Sequence, residues 1–230
     1  MNPPTTRLNK HLALQLGVSR READVLIEHG LVMINGRTAE LGGRVAKHDI
    51  VIVSGTTLPS TSTAYVYLML NKPIGYVCSR RAQGSVPTIY TLLPPIYHSL
   101  KPVGRLDANS SGLLLLTNDG DFAFTMTHPK FHKTKIYHVR LNRDLEPLHQ
   151  QMIGDFGIEL EDGTSHLQLM RLSETNRREW QVTMSEGRNR QIRRTFSALG
   201  YKVTRLHRTH FGPYGLDGIK RGELKLTEKR

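Results

Sequence analysis

Residues 54–64, SGTTLPSTSTA, contain a single large apolar side chain and divide the 230-residue chain in two. A run of Ser, Thr, Gly and Pro has too little apolar surface to pack, so it reads as a flexible linker. It leaves a small domain over 1–53 and a medium one over 65–230, a division that a chain of this length accommodates. With 38% apolar and 23% charged residues, both pieces can bury a core.

The first piece has a compact pattern. Residues 1–6 carry no periodicity and are expected to fray. Residues 7–16 read as a helix, with Leu8, Leu12 and Leu16 on one stripe and Gly17 to end it. Ser19 and Glu22 form a capping box for a second helix, which Gly30 stops. A strand over 31–34, the hairpin signal Asn35-Gly36 and a strand over 50–53 complete it.

The second piece is strand-rich. Strands are predicted over 65–73, 113–117, 135–141, 166–172, 179–185 and 202–207, and helices over 122–127, 145–153 and 190–199. Strands in direct succession with few helices point to a mixed, mainly antiparallel sheet with flanking helices, an α+β fold. The tail after Leu226 is polar and is expected to be loose.

Charge narrows the partner. The net charge is +12 and the pI about 10.0, a surplus that attracts polyanions. Half of that surplus falls within residues 186–208, where Arg188, Arg190, Arg193, Arg194, Lys202, Arg205 and Arg208 face one acid, Glu186. Solvated faces usually mix signs, so this segment reads as a phosphate-binding surface. Cys78 is the only cysteine, which rules out an intrachain disulfide and suits a reducing, cytoplasmic setting. No apolar run approaches the roughly 18–20 residues that span a bilayer, and MNPPTTRLNK lacks a secretory h-region, so no membrane association is expected.

Three segments can carry chemistry. Residues 103–120, VGRLDANSSGLLLLTNDG, place Arg105 and Asp107 on a polar loop braced by four leucines, with a tight turn predicted at 118–120. Asp107, Asn109, Ser111 and Gly112 copy half of a calcium loop, but the closing position is Asn118 rather than a bidentate Glu, which excludes calcium. Residues 132–141 put Tyr137 on one face of a strand, and an aromatic ring is what a base extruded from RNA stacks on. In residues 186–200, Ile192, Phe196 and Leu199 form a buried stripe with Arg193 beside it, while Arg190 and Arg194 face further out. A partly buried Arg needs an acid, and this helix has none, so its partner must come from elsewhere. Cys78 has no identifiable activating partner. The spacings His128/His132 and His207/His210 are poor zinc signals, and His207 and Arg208 fit phosphate contact better.

Residues 7–53 resemble the small RNA-binding domain of ribosomal protein S-four, the αL motif, whose helix pair would direct Arg7, Lys10, Arg20 and Arg21 to phosphates. LNKPIG (70–75), VGRLDANSSGLLLLTNDG (103–120), KIYHV (135–139) and EGRNRQIRR (186–194) together resemble the pseudouridine synthases of the RsuA/RluB type. That resemblance implies Asp107 as catalytic aspartate, Tyr137 as active-site tyrosine and Arg193 as the cation paired with Asp107. It also implies Arg105 as the side chain filling the gap left by a flipped base, a cleft across the sheet, and no metal or cofactor. Arg188, Arg190, Arg194, Arg205 and Arg208 are the expected RNA contacts of this domain. Uridine and pseudouridine contain the same atoms, so the reaction requires no redox partner or energy source. The expected substrate is ribosomal RNA or a ribosomal-subunit precursor, bound by a monomer. The competing class is a non-catalytic RNA-binding or ribosome-assembly protein, which would explain the charge but not Asp107, Tyr137 and Arg193 in three matching contexts. A metal-dependent nuclease would need clustered carboxylates, and the acids here are scattered.

Overall fold

A computed structural model describes residues 5–59 and 64–230, which form two compact units meeting between Val66 and Tyr67. Residues 1–4 and 60–63, including part of the predicted linker, lie outside the described residues.

The first unit runs β1 (Thr5–Arg7), α1 (Leu8–Leu16), α2 (Arg20–Glu28), β2 (Val32–Ile34), β3 (Arg37–Thr38), β4 (Arg44–Ala46), β5 (Val51–Val53) and β6 (Thr56–Thr57). The Ser19 hydroxyl accepts from the Glu22 amide at 3.1 Å, and the Glu22 carboxylate accepts from the Ser19 amide at 2.6 Å. Such a reciprocal cap stabilises a helix start by about 1 kcal/mol. Asn35 and Gly36 both take positive φ, 49° and 80°, and turn β2 into β3. Leu8 and Leu12 are buried with Ala23, Ile27, Val32 and Val51, whereas Leu16 is 37% exposed because it is the last residue before the chain turns away at Gly17.

Two expectations for this unit are corrected. Thr5 and Thr6 are not frayed: β1 pairs with β4, and the Arg44 guanidinium donates to the Thr5 hydroxyl at 2.7 Å and carbonyl at 2.8 Å. Residues 54–58 are not free linker either. Ser54 and Gly55 take φ of 49° and 81°, a hairpin turn that sends Thr56–Thr57 back along β5.

The second unit continues with β7 (Tyr67–Lys72), β8 (Lys101–Val103), β9 (Ser111–Thr117), α3 (Gly120–Thr127), β10 (Lys135–Leu141), α4 (Pro147–Gln151), β11 (Gln168–Arg171), β12 (Glu179–Met184), α5 (Gln191–Ala198), β13 (Val203–Phe211), β14 (Tyr214–Gly215) and β15 (Leu224–Thr227). One sheet orders β11-β12-β10-β13-β9-β7-β15, with β8 beside β9 and β14 beside β13. Every pairing is antiparallel except β13 with β9. The architecture is therefore α+β around a mixed sheet. Leu113 to Leu116 are each no more than 2% exposed because β9 is central and covered on both faces. At roughly 2 kcal/mol for each buried leucine, this strand anchors the unit.

Three boundaries differ from the sequence reading. Asp119 belongs to no tight turn; it N-caps α3, accepting from the Asp121 and Phe122 amides at 3.0 Å. The strand predicted to stop at 207 continues to Phe211, where Gly212 at φ 54° turns it into β14. The tail is not loose. β15 pairs with β7, Lys229 Nζ lies 3.1 Å from Asp119 Oδ2, and the Arg230 amide donates to the Tyr214 hydroxyl at 2.8 Å. Among the described residues no helix is long and apolar enough to cross a membrane.

Candidate active site

The loop between β8 and β9 carries Asp107, and its backbone is held at five consecutive carbonyls. The Cys78 thiol donates to the Leu106 carbonyl at 3.3 Å. The Asp107 carbonyl accepts from the Ser110 amide at 3.0 Å and from Lys72 Nζ at 3.1 Å. The Ala108 carbonyl accepts from the Gly75 amide at 2.7 Å, that of Asn109 from Arg193 Nη2 at 2.9 Å, and that of Ser110 from Lys72 Nζ at 2.8 Å. A loop so held cannot drift, and placement to within a fraction of an ångström is what a reacting carboxylate requires.

Lys72 is fully buried at the end of β7, and its ammonium also donates to the Pro73 carbonyl at 3.0 Å. Burial pushes its pKa down, an effect opposed by the nearby Cys78 and Asp107. Three carbonyl acceptors satisfy the three N–H donors of this ammonium without a counter-ion. Sequence reasoning did not single Lys72 out. The available signal was a charge at the end of an otherwise buried strand, LMLNK.

Asp107 faces a cleft of about 770 Å³ together with Arg105, Tyr137, Lys135, Arg190 and Arg208. All of it lies within the second unit. Arg105 is exposed, and Tyr137 is 8% exposed on β10, opposite Arg208 of β13. The structure thus brings the carboxylate, the phenol and several guanidinium groups to one cleft, from four separate stretches of chain.

The pairing expected for Asp107 is corrected. Its carboxylate Oδ2 lies 3.2 Å from Arg190 Nη1, not from Arg193. Arg190 precedes α5 with φ 46° and ψ 31°, a left-handed conformation that costs a non-glycine residue about 1 kcal/mol. That bend swings Arg190 off the helical path and towards the loop. Arg193 lies one turn further on, and its two terminal nitrogens are occupied by backbone: Nη1 donates to the Val203 carbonyl at 2.8 Å and Nη2 to that of Asn109. Desolvation lowers the pKa of Arg193, as does Arg190, while Asp107 raises it. Arg193 therefore acts on the backbone that carries Asp107.

The expected RNA contacts also divide. Arg188 is only 19% exposed in its side chain and donates to the carbonyls of Asp162, Gly163 and Thr164 at 2.6–2.8 Å. Arg194 and Arg188 both pair with the Asp162 carboxylate, at 2.6 and 3.0 Å. These two arginines clamp the 162–164 segment instead of standing free for phosphate, because an acid remote in sequence folds back onto them. Arg205 and Arg208 fall on opposite faces of β13: Arg205 is paired in register with Arg140, and Arg208 with Tyr137. Only Arg208 faces the cleft. His207 has its Nδ1 2.9 Å from the Ser111 hydroxyl. In the first unit, Arg7 precedes α1, Arg20 and Arg21 open α2, all three exposed, and Lys10 is half-buried on α1.

Gly112 makes the β9–β13 junction possible. It takes φ +108°, and a Cβ there would sit 2.1 Å from the Arg208 carbonyl oxygen. The parallel pairing of Gly112 with Arg208 is what sets Arg208 beside the Asp107 loop. Among the described residues no group of three or more His, Cys, Asp or Glu side chains is placed to hold a metal.

The family described as RNA pseudouridylate synthase matches residues 66–198, and the S4 domain matches residues 6–51. The chain is 38% identical to the ribosomal small subunit pseudouridine synthase A of Pasteurella multocida, over 95% of this chain and 94% of that protein. It is 34% identical to the ribosomal large subunit pseudouridine synthase B of Bacillus subtilis, over 95% and 91% of the respective chains. A crystal structure of a pseudouridylate synthase superposes with a TM-score of 0.67 at 32% identity, covering 96% of each chain.

Proposed function

Because the chain belongs to the RNA pseudouridylate synthase family, we propose that it isomerises a uridine of ribosomal RNA to pseudouridine with Asp107 as the catalytic carboxylate. Ribosomal RNA as substrate rests on the names of the relatives and on the S4 domain. The observation that carries Asp107 is its loop, whose carbonyls from 106 to 110 all accept hydrogen bonds while its carboxylate is left facing the cleft.

The reaction needs the target base outside its stack, at a cost of a few kcal/mol. Arg105, exposed at the edge of the cleft, is placed to enter the vacated space. The Asp107 carboxylate, oriented by Arg190 and by the braced loop, then acts on the ribose. Attack at C1′, with the Asp107–C1′ bond broken again as C1′ bonds to C5, and removal of the C2′ proton, which is returned after that bond forms, are the two routes open to it. The C1′–N1 bond breaks, the base turns, C1′ bonds to C5, and the C5 hydrogen leaves as a proton while N1 gains one. Tyr137 provides the ring on which the detached base stacks.

Asp107→Asn keeps the shape and removes the charge. We expect no pseudouridine in ribosomal RNA treated with this variant, with affinity for the RNA within about twofold of the native protein. The readout is nucleotide-resolution mapping of pseudouridine. Conversion at the native rate by Asp107→Asn would remove the assignment.

A further inference from the structure

The floor of the cleft holds a cation with no ion-pair partner among the described residues. Arg208 is 2% exposed, its Nε donates to the Leu113 carbonyl at 2.8 Å, and its Nη2 is buried without an acceptor. The guanidinium carbon lies 4.8 Å from the centre of the Phe211 ring, so the group is held on one side by the ring and at Nε by the strand. The Lys135 ammonium shares that ring at 5.5 Å and donates to the Glu186 carbonyl at 3.1 Å. Burial lowers the pKa of Lys135 and Arg208 lowers it further, against a pull upward from Glu186. The carboxylates lining the cleft are engaged elsewhere, Asp107 with Arg190 and Glu186 with Arg188 and Gln191. Two cations that share one ring in the lining of the cleft, with no carboxylate between them, favour an acceptor that brings negative charge.

We propose that Arg208, assisted by Lys135, is a catalytic residue that donates hydrogen bonds to the carbonyl oxygens of the extruded uracil and takes up the negative charge of the detached base. The inference rests on the uridine-isomerising activity proposed above. Depth selects the base over a backbone phosphate. Arg208 is buried and paired in register with Tyr137, the ring that receives the base, while the backbone of the RNA stays outside with the exposed Arg105. The chemistry calls for such a donor. When C1′–N1 breaks, the bonding electron pair stays on N1, and conjugation spreads it onto O2 and O4. Both oxygens accept only, and Arg and Lys donate only. The charge is withdrawn again as C1′–C5 forms and the C5 proton is lost.

The test measures single-turnover release of tritium from ribosomal RNA labelled at uridine C5, at saturating protein, alongside RNA affinity by filter binding. Arg208→Met should slow release roughly a hundredfold or more, and Lys135→Met about tenfold, with RNA affinity changed by less than about twofold. Arg208→Lys, which keeps charge but loses the fork, should fall between native and Arg208→Met. Circular dichroism and thermal melts establish that each variant is folded. If Arg208→Met does not fold, Arg208→Lys and Lys135→Met decide by the same rates. A native rate at saturation in folded variants, or a loss of affinity with the saturated rate intact, overturns the proposal, the latter pointing to a phosphate contact. Failure of the native protein itself to release tritium removes the activity on which the inference rests, and so is distinguishable from failure of Arg208 alone.

Discussion

Arg188 and Arg194 on one side, and Arg190, Arg193 and Arg208 on the other, come from the same twenty-one residues and carry the same charge. The first pair is bonded to residues 162–164, where one carboxylate and three carbonyls absorb most of their donors. The second group converges on the Asp107 loop and the cleft floor, where Arg190 meets the carboxylate, Arg193 holds the loop backbone and Arg208 keeps an unpaired nitrogen. What separates them is where their partners lie: Arg188 and Arg194 serve the 162–164 segment, and the other three serve the Asp107 loop and the cleft. A basic segment read as one phosphate-binding surface thus contains two devices, and charge count alone does not distinguish them.

The largest effect that would test this division is at Arg193. Arg193→Ala removes the donor to the Asn109 carbonyl and the bond to the Val203 carbonyl, so the Asp107 loop loses one of its five anchors. A misplacement of about 1 Å costs roughly a hundredfold in rate, and that is the loss expected in single-turnover pseudouridine formation. Arg190→Gln should cost about fivefold or less, since both partners of the Arg190–Asp107 pair are more than a third exposed and solvent screens them. A larger loss at Arg190 than at Arg193 would reverse the roles assigned here.

That contrast also shows where sequence stops being informative. Periodicity, capping residues and turn dipeptides have their causes within a few residues, so α1, α2, β10, β12 and the Asn35-Gly36 turn were legible. The motifs around Asp107, Tyr137 and Arg193 were legible for the same reason, as local strings. The partner of each side chain was not, because it depends on segments brought together only by the sheet. Nothing local indicates that Asp162 reaches Arg188 and Arg194, that Arg190 takes a left-handed turn onto Asp107, or that Lys72 lies under residues 107–110. The C-terminal strand was missed for a related reason. Leu224 and Leu226 alternate with charged and polar neighbours, and the order of that short run comes from an available edge of β7 and from Asp119 receiving Lys229.

Stability offers the next measurement. Arg188→Ala removes three hydrogen bonds to the carbonyls of residues 162–164 from a side chain that is mostly buried, for an expected loss of about 2 kcal/mol. For a unit of this size that lowers the melting temperature by several degrees. The salt dependence of RNA binding should be unchanged, because Arg188 is already bound within the protein. A shallower salt slope with an unshifted melting curve would place Arg188 among the ligand-facing arginines.

The smallest effect concerns the two faces of β13. Arg205 shares a face with Arg140 and His138, the face opposite Arg208; burial lowers the pKa of both His138 and His207, and the charge of Arg205 lowers them further. If RNA is drawn to the cleft, Arg205→Ala should leave affinity within about twofold and the slope of log affinity against log salt unaltered. Arg105→Ala, which removes the side chain that would fill the space left by the flipped base, should weaken binding severalfold. Titrations of both variants at several salt concentrations decide the matter. Equal losses at Arg105 and Arg205 would mean that RNA covers both faces of the sheet, and the distinction between cleft and reverse face would no longer describe binding.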